Sequence, residues 1–153
     1  MAVNGSIVSA STVDDGARLQ GIGTLGQVTV LSGGVYAPGN SSNGTQSVVA
    51  PFTLNAGAIY EVEVNAAGQG DRVFVNGTVS LSGAVLRVLA ENGNYNPSTN
   101  YVIIANDGAD PVTGTFASVT TGLALQSLNR PTPQCLPPRP AAKASAGMVR
   151  SPE

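Results

Sequence analysis

Carboxylate pairs are the first groups in this sequence that could do chemistry. Two aspartates adjoin at Asp14 and Asp15, and two more lie close together at Asp107 and Asp110. Such pairs can act as the acid and base of a glycan-cleaving β-helix. Adjacent strand residues point to opposite faces, so Asp14 and Asp15 can converge only on a turn. Asp107 and Asp110 lie in NDGAD, where Asp and Asn commonly cap turns, and we therefore predict turn roles for both pairs.

Metal binding and nucleophilic catalysis have weaker signals. The segment NAAGQGDRVFV is similar to the glycine–aspartate repeat of calcium-binding β-rolls at Gly70-Asp71, but it lacks one intervening residue and occurs once. We interpret it as a turn. Serine is abundant, but the chain has no histidine to activate it and no G-x-S-x-G elbow. The sequence therefore predicts no catalytic residue, no cofactor and no metal ligand.

Asparagines and aromatic residues could mark a carbohydrate-related surface. The sequence N-x-[ST] occurs at Asn4, Asn40, Asn43 and Asn76, which we interpret as corner asparagines rather than glycosylation acceptors. Aromatic residues at strand positions are expected to stack in a core or at a corner rather than to form a sugar platform. They are Tyr36, Phe52, Tyr60, Phe74, Tyr95, Tyr101 and Phe116.

Composition and charge exclude several classes of protein. Charged residues make up 10% of the 153 residues, and residues 1–129 contain three arginines, no lysine and eight acidic residues, a net charge of −5. An acidic, lysine-free body argues against nucleic acid and anionic membrane surfaces. No apolar run reaches the ~18 residues of a membrane helix, and MAVNGSIVSASTVDDG lacks the features of a signal peptide. Cys135 is the single cysteine, so no intramolecular disulfide can form.

The chain consists of short apolar runs separated by small and polar residues, with no sustained helical period. One run alternates Ile59, Val62 and Val64 with the acidic Glu61 and Glu63. The runs predict strands at Ser6–Ser9, Ala17–Gln20, Gln27–Leu31, Gly34–Ala37, Ser47–Val49, Phe52–Leu54, Ile59–Val64, Arg72–Val75, Thr78–Leu81, Ala84–Leu89, Tyr101–Ala105 and Thr115–Val119.

An approximate repeat closes several of these runs with an apolar–polar–small–glycine turn. Gly33, Gly57 and Gly83 end such turns at spacings of 24 and 26 residues. Two or three short strands with glycine or asparagine corners in a period of this length are typical of one coil of a β-solenoid. An antiparallel β-sandwich also has short strands between turns, and the pattern leaves this alternative open. We favour the solenoid.

The composition changes abruptly after Ser127. Residues 131–153 hold six of the ten prolines together with the only lysine and cysteine. Proline at this density favours an extended, unpacked chain. We therefore divide the protein into β-solenoid coils at 1–121 and a disordered tail at 122–153.

Three segments of the body resemble the C-terminal end of a bacterial autotransporter passenger, the β-helix region that precedes the outer-membrane barrel. They are GTLGQVTVLSGGVYAPGNSSNGT (23–45), TLNAGAIYEVEVNAAGQGDRVFVNGTVSLSGAVLRVLA (53–90) and GNYNPSTNYVIIANDGADPVTGTFASVTT (93–121). The resemblance implies a right-handed parallel β-helix, secreted through the outer membrane to the cell surface. The expected partners are neighbouring coils and the barrel of a full-length protein.

The resemblance also implies a function. Such a junction region is credited with nucleating passenger folding, so we expect a non-catalytic structural segment. A surface adhesion module and a carbohydrate-active β-helix are the alternatives. Self-association is also expected, because a solenoid segment leaves an end coil uncovered, here predicted at the N-terminal side. Beyond GTFASV the chain departs from the family, and the composition of its tail favours a frameshifted or truncated reading frame.

Overall fold

The computed structural model describes residues 1–40 and 43–122, and every regular element in this part of the chain is a β-strand. The strands are β1 (Ser6–Ile7), β2 (Ser11–Val13), β3 (Arg18–Gly21), β4 (Thr24–Leu25), β5 (Val28–Val30), β6 (Val35–Pro38), β7 (Thr45–Val48), β8 (Phe52–Leu54), β9 (Ile59–Val64), β10 (Arg72–Val75), β11 (Val79–Ser80), β12 (Val85–Ala90), β13 (Ile104–Asn106), β14 (Val112–Thr113) and β15 (Ser118–Thr121).

The strands form three five-stranded parallel sheets. Sheet 1 has the order β1-β4-β7-β10-β13, sheet 2 the order β2-β5-β8-β11-β14, and sheet 3 the order β3-β6-β9-β12-β15. Each coil of the chain therefore contributes one strand to each sheet, and five coils stack. All named strand pairs are parallel, which excludes the antiparallel sandwich. The fold is a parallel β-helix, as predicted.

Alternating side chains explain why these short runs are strands. In β10, Val73 and Val75 are fully buried, whereas Arg72 and Phe74 are exposed. The pleat sends alternate residues to opposite faces, and β-branched residues favour this half-buried surface. The inward residues of successive coils thus stack into one core that runs through the helix.

Stacked glycine turns make the corner between sheets 2 and 3, which we call the glycine corner. Gly16, Gly33, Gly57 and Gly83 have φ between 75° and 83°, the left-handed value that the third residue of a type II turn requires. The Gly33 amide donates to the Gly57 carbonyl at 3.0 Å, and the Gly57 amide donates to Gly83 at 3.4 Å. This ladder confirms the predicted repeat, and Gly16 extends it by one coil.

Four aromatic rings join the coils inside the core. The Tyr36 ring centroid lies 4.9 Å from that of Phe52 and 5.9 Å from that of Tyr60, and Tyr60 lies 6.1 Å from Phe116. These separations are favourable for aromatic pairs. The predicted aromatic core is confirmed for these residues, whereas Phe74 is 41% exposed.

The corner between sheets 3 and 1, which we call the loop corner, varies in length. Its connections are residues 22–23, 39–44, 65–71 and 91–103, and they lengthen along the chain. Loops at one edge of a regular scaffold are the usual place for binding surfaces. A groove described below lies at this corner.

Several predicted strands needed correction. The bounds of β8, β9 and β10 are as predicted, but the short strands β2, β4 and β14 were missed. The predicted core strand Tyr101–Ala105 begins instead at Ile104, and Val102 is 63% exposed.

The predicted alternation in β9 is right for Val62 and Val64 and wrong for Ile59. Tyr60, Val62 and Val64 face the core, whereas Ile59 lies on the outward side together with Glu61. Glu61 is nevertheless buried, because arginine side chains from other coils cover it.

The described β-helix has unpaired strand edges at both ends, at β1, β2 and β3 as predicted and also at β13, β14 and β15. Inward residues of the first coil, Val13 and Leu19, are buried. In the fifth coil, Val112 and Val119 are 51% and 61% exposed. Their register partners in the fourth coil, Val79 and Leu86, are buried.

The predicted tail, apart from Gly122, lies outside the described residues. Within the described residues, no helix is long and apolar enough to cross a membrane.

Candidate functional site

The structure places both predicted aspartate pairs in turns. The Asp14 carbonyl accepts a hydrogen bond from the Ala17 amide at 2.9 Å, which closes the first turn of the glycine corner. Asp107 Oδ1 accepts from the Ala109 amide at 3.0 Å, and the Asp110 carbonyl accepts from Asn106 Nδ2 at 2.7 Å. Asp107 thus caps its turn through its side chain as predicted, whereas Asp14 and Asp110 accept at their backbone carbonyls.

Asp71 is a buried carboxylate that sequence reasoning treated as a simple turn residue. Its side chain is bonded at both oxygens: Oδ1 accepts from the Gly44 amide at 2.8 Å and Oδ2 from the Glu63 amide at 2.9 Å. The residue is only 3% exposed. Asp71 therefore ties β9 to the loop 39–44.

This tie fills a gap in sheet 3. The ladder between β6 and β9 includes only the pairs Val35–Ile59 and Tyr36–Tyr60, so the two strands separate beyond them. A Cβ at Gly39 would lie 2.2 Å from Asp71 Oδ1, so the absence of a side chain there makes room for the carboxylate. Burial raises the pKa of Asp71, and the two amide hydrogen bonds oppose that rise in part.

Glu61 joins three coils through two arginines. Its Oε1 lies 2.6 Å from Arg18 Nη2, and its Oε2 lies 3.1 Å from Arg87 Nη1. The glutamate side chain is 7% exposed, and the arginine side chains are about two-fifths exposed. Sequence reasoning missed this cluster, although a signal existed: Glu61 and Arg87 are 26 residues apart, the same spacing as Gly57 and Gly83.

A cleft of about 100 Å³ brings Glu61, Glu63 and Asp71 together beside Arg18. Acid–base chemistry on a glycan needs one carboxyl group to donate a proton and a second to act as base or nucleophile. Here both oxygens of Glu61 bind guanidinium groups, and both oxygens of Asp71 bind backbone amides. These bonds indicate that Glu61 and Asp71 have a structural role, in which they hold neighbouring coils together. In residues 1–40 and 43–122, no group of three or more Cys, Asp or Glu side chains is placed to hold a metal ion.

A second, larger groove of about 380 Å³ lies at the loop corner, and we call it the corner groove. Residues from the loops of three successive coils line it: Asn43, Gly44, Thr45, Gly68, Gln69, Gly70, Arg72, Asn100, Tyr101 and Val102. Three of the lining side chains are amides, and the others are one threonine, one guanidinium, one aromatic ring and one valine. Sequence reasoning did not find this groove, because its residues lie in loops of different lengths that share no repeat.

Two hydrogen bonds orient the charged and aromatic residues of the corner groove. Arg72 Nε donates to Thr45 Oγ1 at 2.8 Å, and the Tyr101 hydroxyl donates to the Asn65 carbonyl at 2.6 Å. A Cβ at Gly70 would lie 3.4 Å from Tyr101 Cδ1, so the ring lies close to the Gly70 backbone. Both side chains are thus held in place before any ligand arrives.

Comparison with known proteins finds a similarity to a secreted protein. The chain is 32% identical over 125 residues to an extracellular serine protease of Serratia marcescens, an alignment that covers 76% of this chain. The chain spans only 12% of the length of that protein. No protein-family model matches the chain.

Proposed function

We propose that this chain is a segment of an autotransporter passenger β-helix that supports folding and secretion and has no catalytic role of its own. Its place would be at the cell surface or outside the cell, next to further coils and the outer-membrane barrel of a longer protein. The sequence motifs at 23–45, 53–90 and 93–121 support the family, and the similarity to an extracellular protein agrees with secretion.

The observation that carries this proposal is the continuous stack of five coils. Each strand pairs with the equivalent strand of the next coil, and the glycine corner repeats the same turn. A solenoid can grow by adding one coil to an existing edge, since each repeat contacts only its neighbours. A stable segment of this kind can therefore act as a template for the coils that fold after it.

The non-catalytic part of the proposal is supported by the state of the carboxylates. Glu61 and Asp71 are the two most buried acids, and both are engaged by neighbouring groups. The relative is named a serine protease, but the chain has no histidine and corresponds to a small part of that protein. We propose that protease activity, if present in a longer protein, is located outside this segment.

A graft tests the role in folding. Residues 21–121 would replace the C-terminal coils of an autotransporter from which those coils have been deleted. Protease resistance of the passenger at the cell surface would then be measured. The expected result is recovery of a resistant passenger, because the grafted coils present paired edges for the upstream chain.

A core variant of the same graft is the matched control. Val62 is fully buried, so Val62→Asp places a charge in the core and should abolish recovery. Equal protease resistance in the two grafts would contradict a templating role for these coils.

A surface adhesion module is the second candidate function, and the corner groove is the observation that favours it. A binding surface on the loops of a rigid solenoid would not interfere with the stacking of coils. Attachment of cells that display residues 21–121, compared with cells that display the Val62→Asp graft, separates adhesion from a purely structural role.

A further inference from the structure

We propose that the corner groove binds an acidic oligosaccharide, with the Arg72 guanidinium holding a sugar carboxylate and the Tyr101 ring contacting the apolar face of a sugar. The groove volume of about 380 Å³ lies in the lower part of the range for ligand sites. This inference does not depend on the role in folding, since the graft described above can fail while the groove still binds its ligand.

The charge of the groove favours an acidic ligand. Arg72 is the one charged residue among those that line it. In the described part of the chain, the ion pairs are those of Glu61 with Arg18 and Arg87, and Arg72 takes part in neither. Its Nε is occupied by Thr45, which leaves both Nη groups for a ligand. A guanidinium binds a carboxylate through two parallel hydrogen bonds, so this edge distinguishes an acidic sugar from a neutral one.

The acid behind the groove does not cancel this preference. Asp71 contacts the groove residue Gly44, but its two oxygens accept hydrogen bonds from backbone amides and it is almost fully buried. It therefore makes no pair with Arg72 and presents no free oxygen to a ligand at the groove surface.

The Tyr101 ring supplies the apolar part of the site. The bond from its hydroxyl to Asn65 and the close approach of the ring to Gly70 hold it in one position. The C–H groups on one face of a pyranose are apolar and slightly positive, and they pack well against the negative face of an aromatic ring. A ring that is already fixed loses little conformational entropy when a sugar binds.

Amide side chains complete the site. Gln69 and Asn100 line the groove, and an amide can both donate to and accept from sugar hydroxyls. Gln69 Oε1 accepts from Asn65 Nδ2 at 3.0 Å, which leaves its NH₂ group available. Arg72 is the register partner of Thr45 in the preceding coil. The groove crosses three coils, about 10 Å at ~4.8 Å per step, which suits a disaccharide or trisaccharide.

Binding of two probes to the 153-residue chain tests the proposal. Trigalacturonate and maltotriose, an acidic and a neutral trisaccharide, would be titrated into isotope-labelled protein and followed by amide chemical shifts. We expect shifts from trigalacturonate at residues 43–45, 68–72 and 100–102. Maltotriose should bind at least about tenfold more weakly, since a charge-assisted hydrogen bond is lost. Equal affinities, or shifts centred elsewhere, would overturn the proposal.

Three variants identify the groups involved. Arg72→Gln should weaken trigalacturonate binding at least about tenfold. The affinity of Arg72→Lys should lie between those of wild type and Arg72→Gln, because lysine keeps the positive charge but cannot donate two parallel hydrogen bonds. Asn94→Ala, at an exposed position outside the groove, is the matched control and should bind like wild type. Spectral dispersion checks the fold of each variant. If Arg72→Gln binds like wild type, the assignment of the carboxylate to Arg72 is wrong. If Arg72→Gln does not fold, the role of Arg72 is tested by the affinity of Arg72→Lys and by the comparison of trigalacturonate with maltotriose.

Discussion

Tyr36 and Tyr60 occupy equivalent positions in neighbouring coils, yet their hydroxyl groups differ. The Tyr60 hydroxyl donates to the Ile103 carbonyl at 2.5 Å. The Tyr36 hydroxyl is buried and has no hydrogen-bond partner among the described residues. Burial raises the pKa of both phenols well above the ordinary value, so both are neutral. One hydroxyl is thus satisfied and the other is not.

This difference predicts opposite effects for the same substitution. Tyr60→Phe should lower the free energy of unfolding by about 1 kcal/mol, because it removes a buried hydrogen bond and leaves the Ile103 carbonyl with one bond fewer. Tyr36→Phe should be neutral or stabilising, because it removes a polar atom that has been desolvated without compensation. Chemical denaturation of the three proteins measures both values. A larger loss for Tyr36→Phe than for Tyr60→Phe would contradict this account.

Asp71 predicts a pH dependence of stability. Because burial raises its pKa in the folded chain, the folded state holds this proton to a higher pH than the unfolded state. The contribution of Asp71 to the free energy of unfolding should therefore decrease as pH rises from about 4 through the raised folded-state value. Asp71→Asn lacks this titration, so the stability difference between wild type and Asp71→Asn should change across that window and be constant above it. Denaturation of both proteins from pH 3.5 to 8 measures it. A difference that is independent of pH would show that Asp71 has an ordinary pKa.

Sequence reasoning assigned local roles well and long-range roles poorly at this scale. The turn at Asp107 follows from the residues beside it, since its partner Ala109 is two positions away. The bonds of Glu61 reach Arg18 and Arg87, 43 and 26 residues distant, and depend on the register between coils. Predicting the register requires the length of every coil. These lengths cannot be read from the sequence, because the connections at the loop corner differ in length.

The glycine corner can be tested at the scale of single turns. Gly57 and Gly83 both have φ near +82°, and an added Cβ at Gly83 would meet nothing closer than 3.9 Å. Gly83→Ala should therefore cost about 1–2 kcal/mol from backbone conformation alone. Gly57→Ala should cost at least as much, because the Ser32 hydroxyl, 2.5 Å from the added Cβ, must also rotate away.

Gly5→Ala is the control for this pair. Gly5 has no positive φ and no atom within 4 Å of an added Cβ, so this substitution should change the melting temperature little. Melting temperatures that fall equally for Gly5→Ala and Gly83→Ala would show that the corner does not depend on left-handed glycine.

Strand prediction succeeded best where apolar residues are dense between polar turns. The bounds of β8, β9 and β10 follow from dense Val, Ile and Phe residues between polar turns. β4 and β14 have two residues each, and no alternation can be seen in so short a segment. The shift of β13 arises because Tyr101 and Val102 have strand-forming side chains but belong to the loop that lines the corner groove.

In the described part of the chain, inward apolar positions are buried in the first coil, at Val13 and Leu19, and exposed in the fifth. Val112 and Val119 are inward positions of the fifth coil that remain half-exposed or more. Among the described residues, β13, β14 and β15 each have a neighbour on one side only, as do β1, β2 and β3 at the other end. Such edges with apolar side chains favour pairing with another chain.

We therefore predict that the purified 153-residue chain self-associates through the fifth coil. Val119→Lys should raise the concentration at which association begins by about tenfold, since it removes a valine that the contact between two chains would bury. Val8→Lys, at an exposed valine in the first coil, is the control and should change association little. Sedimentation velocity over a concentration series measures the effect. A single monomeric species at all concentrations would exclude this interface.

The glycine corner keeps the same turn in successive coils, whereas the loop corner varies in length. Successive corner glycines are 17, 24 and 26 residues apart, from Gly16 to Gly83, yet they remain in one hydrogen-bonded ladder. Most of the difference in coil length is taken up by the connections 22–23, 39–44 and 65–71. Foreign peptides inserted into residues 91–103 should therefore leave the strand register intact. The molecule is in this sense a display scaffold, able to carry new epitopes on one edge while its core stays the same.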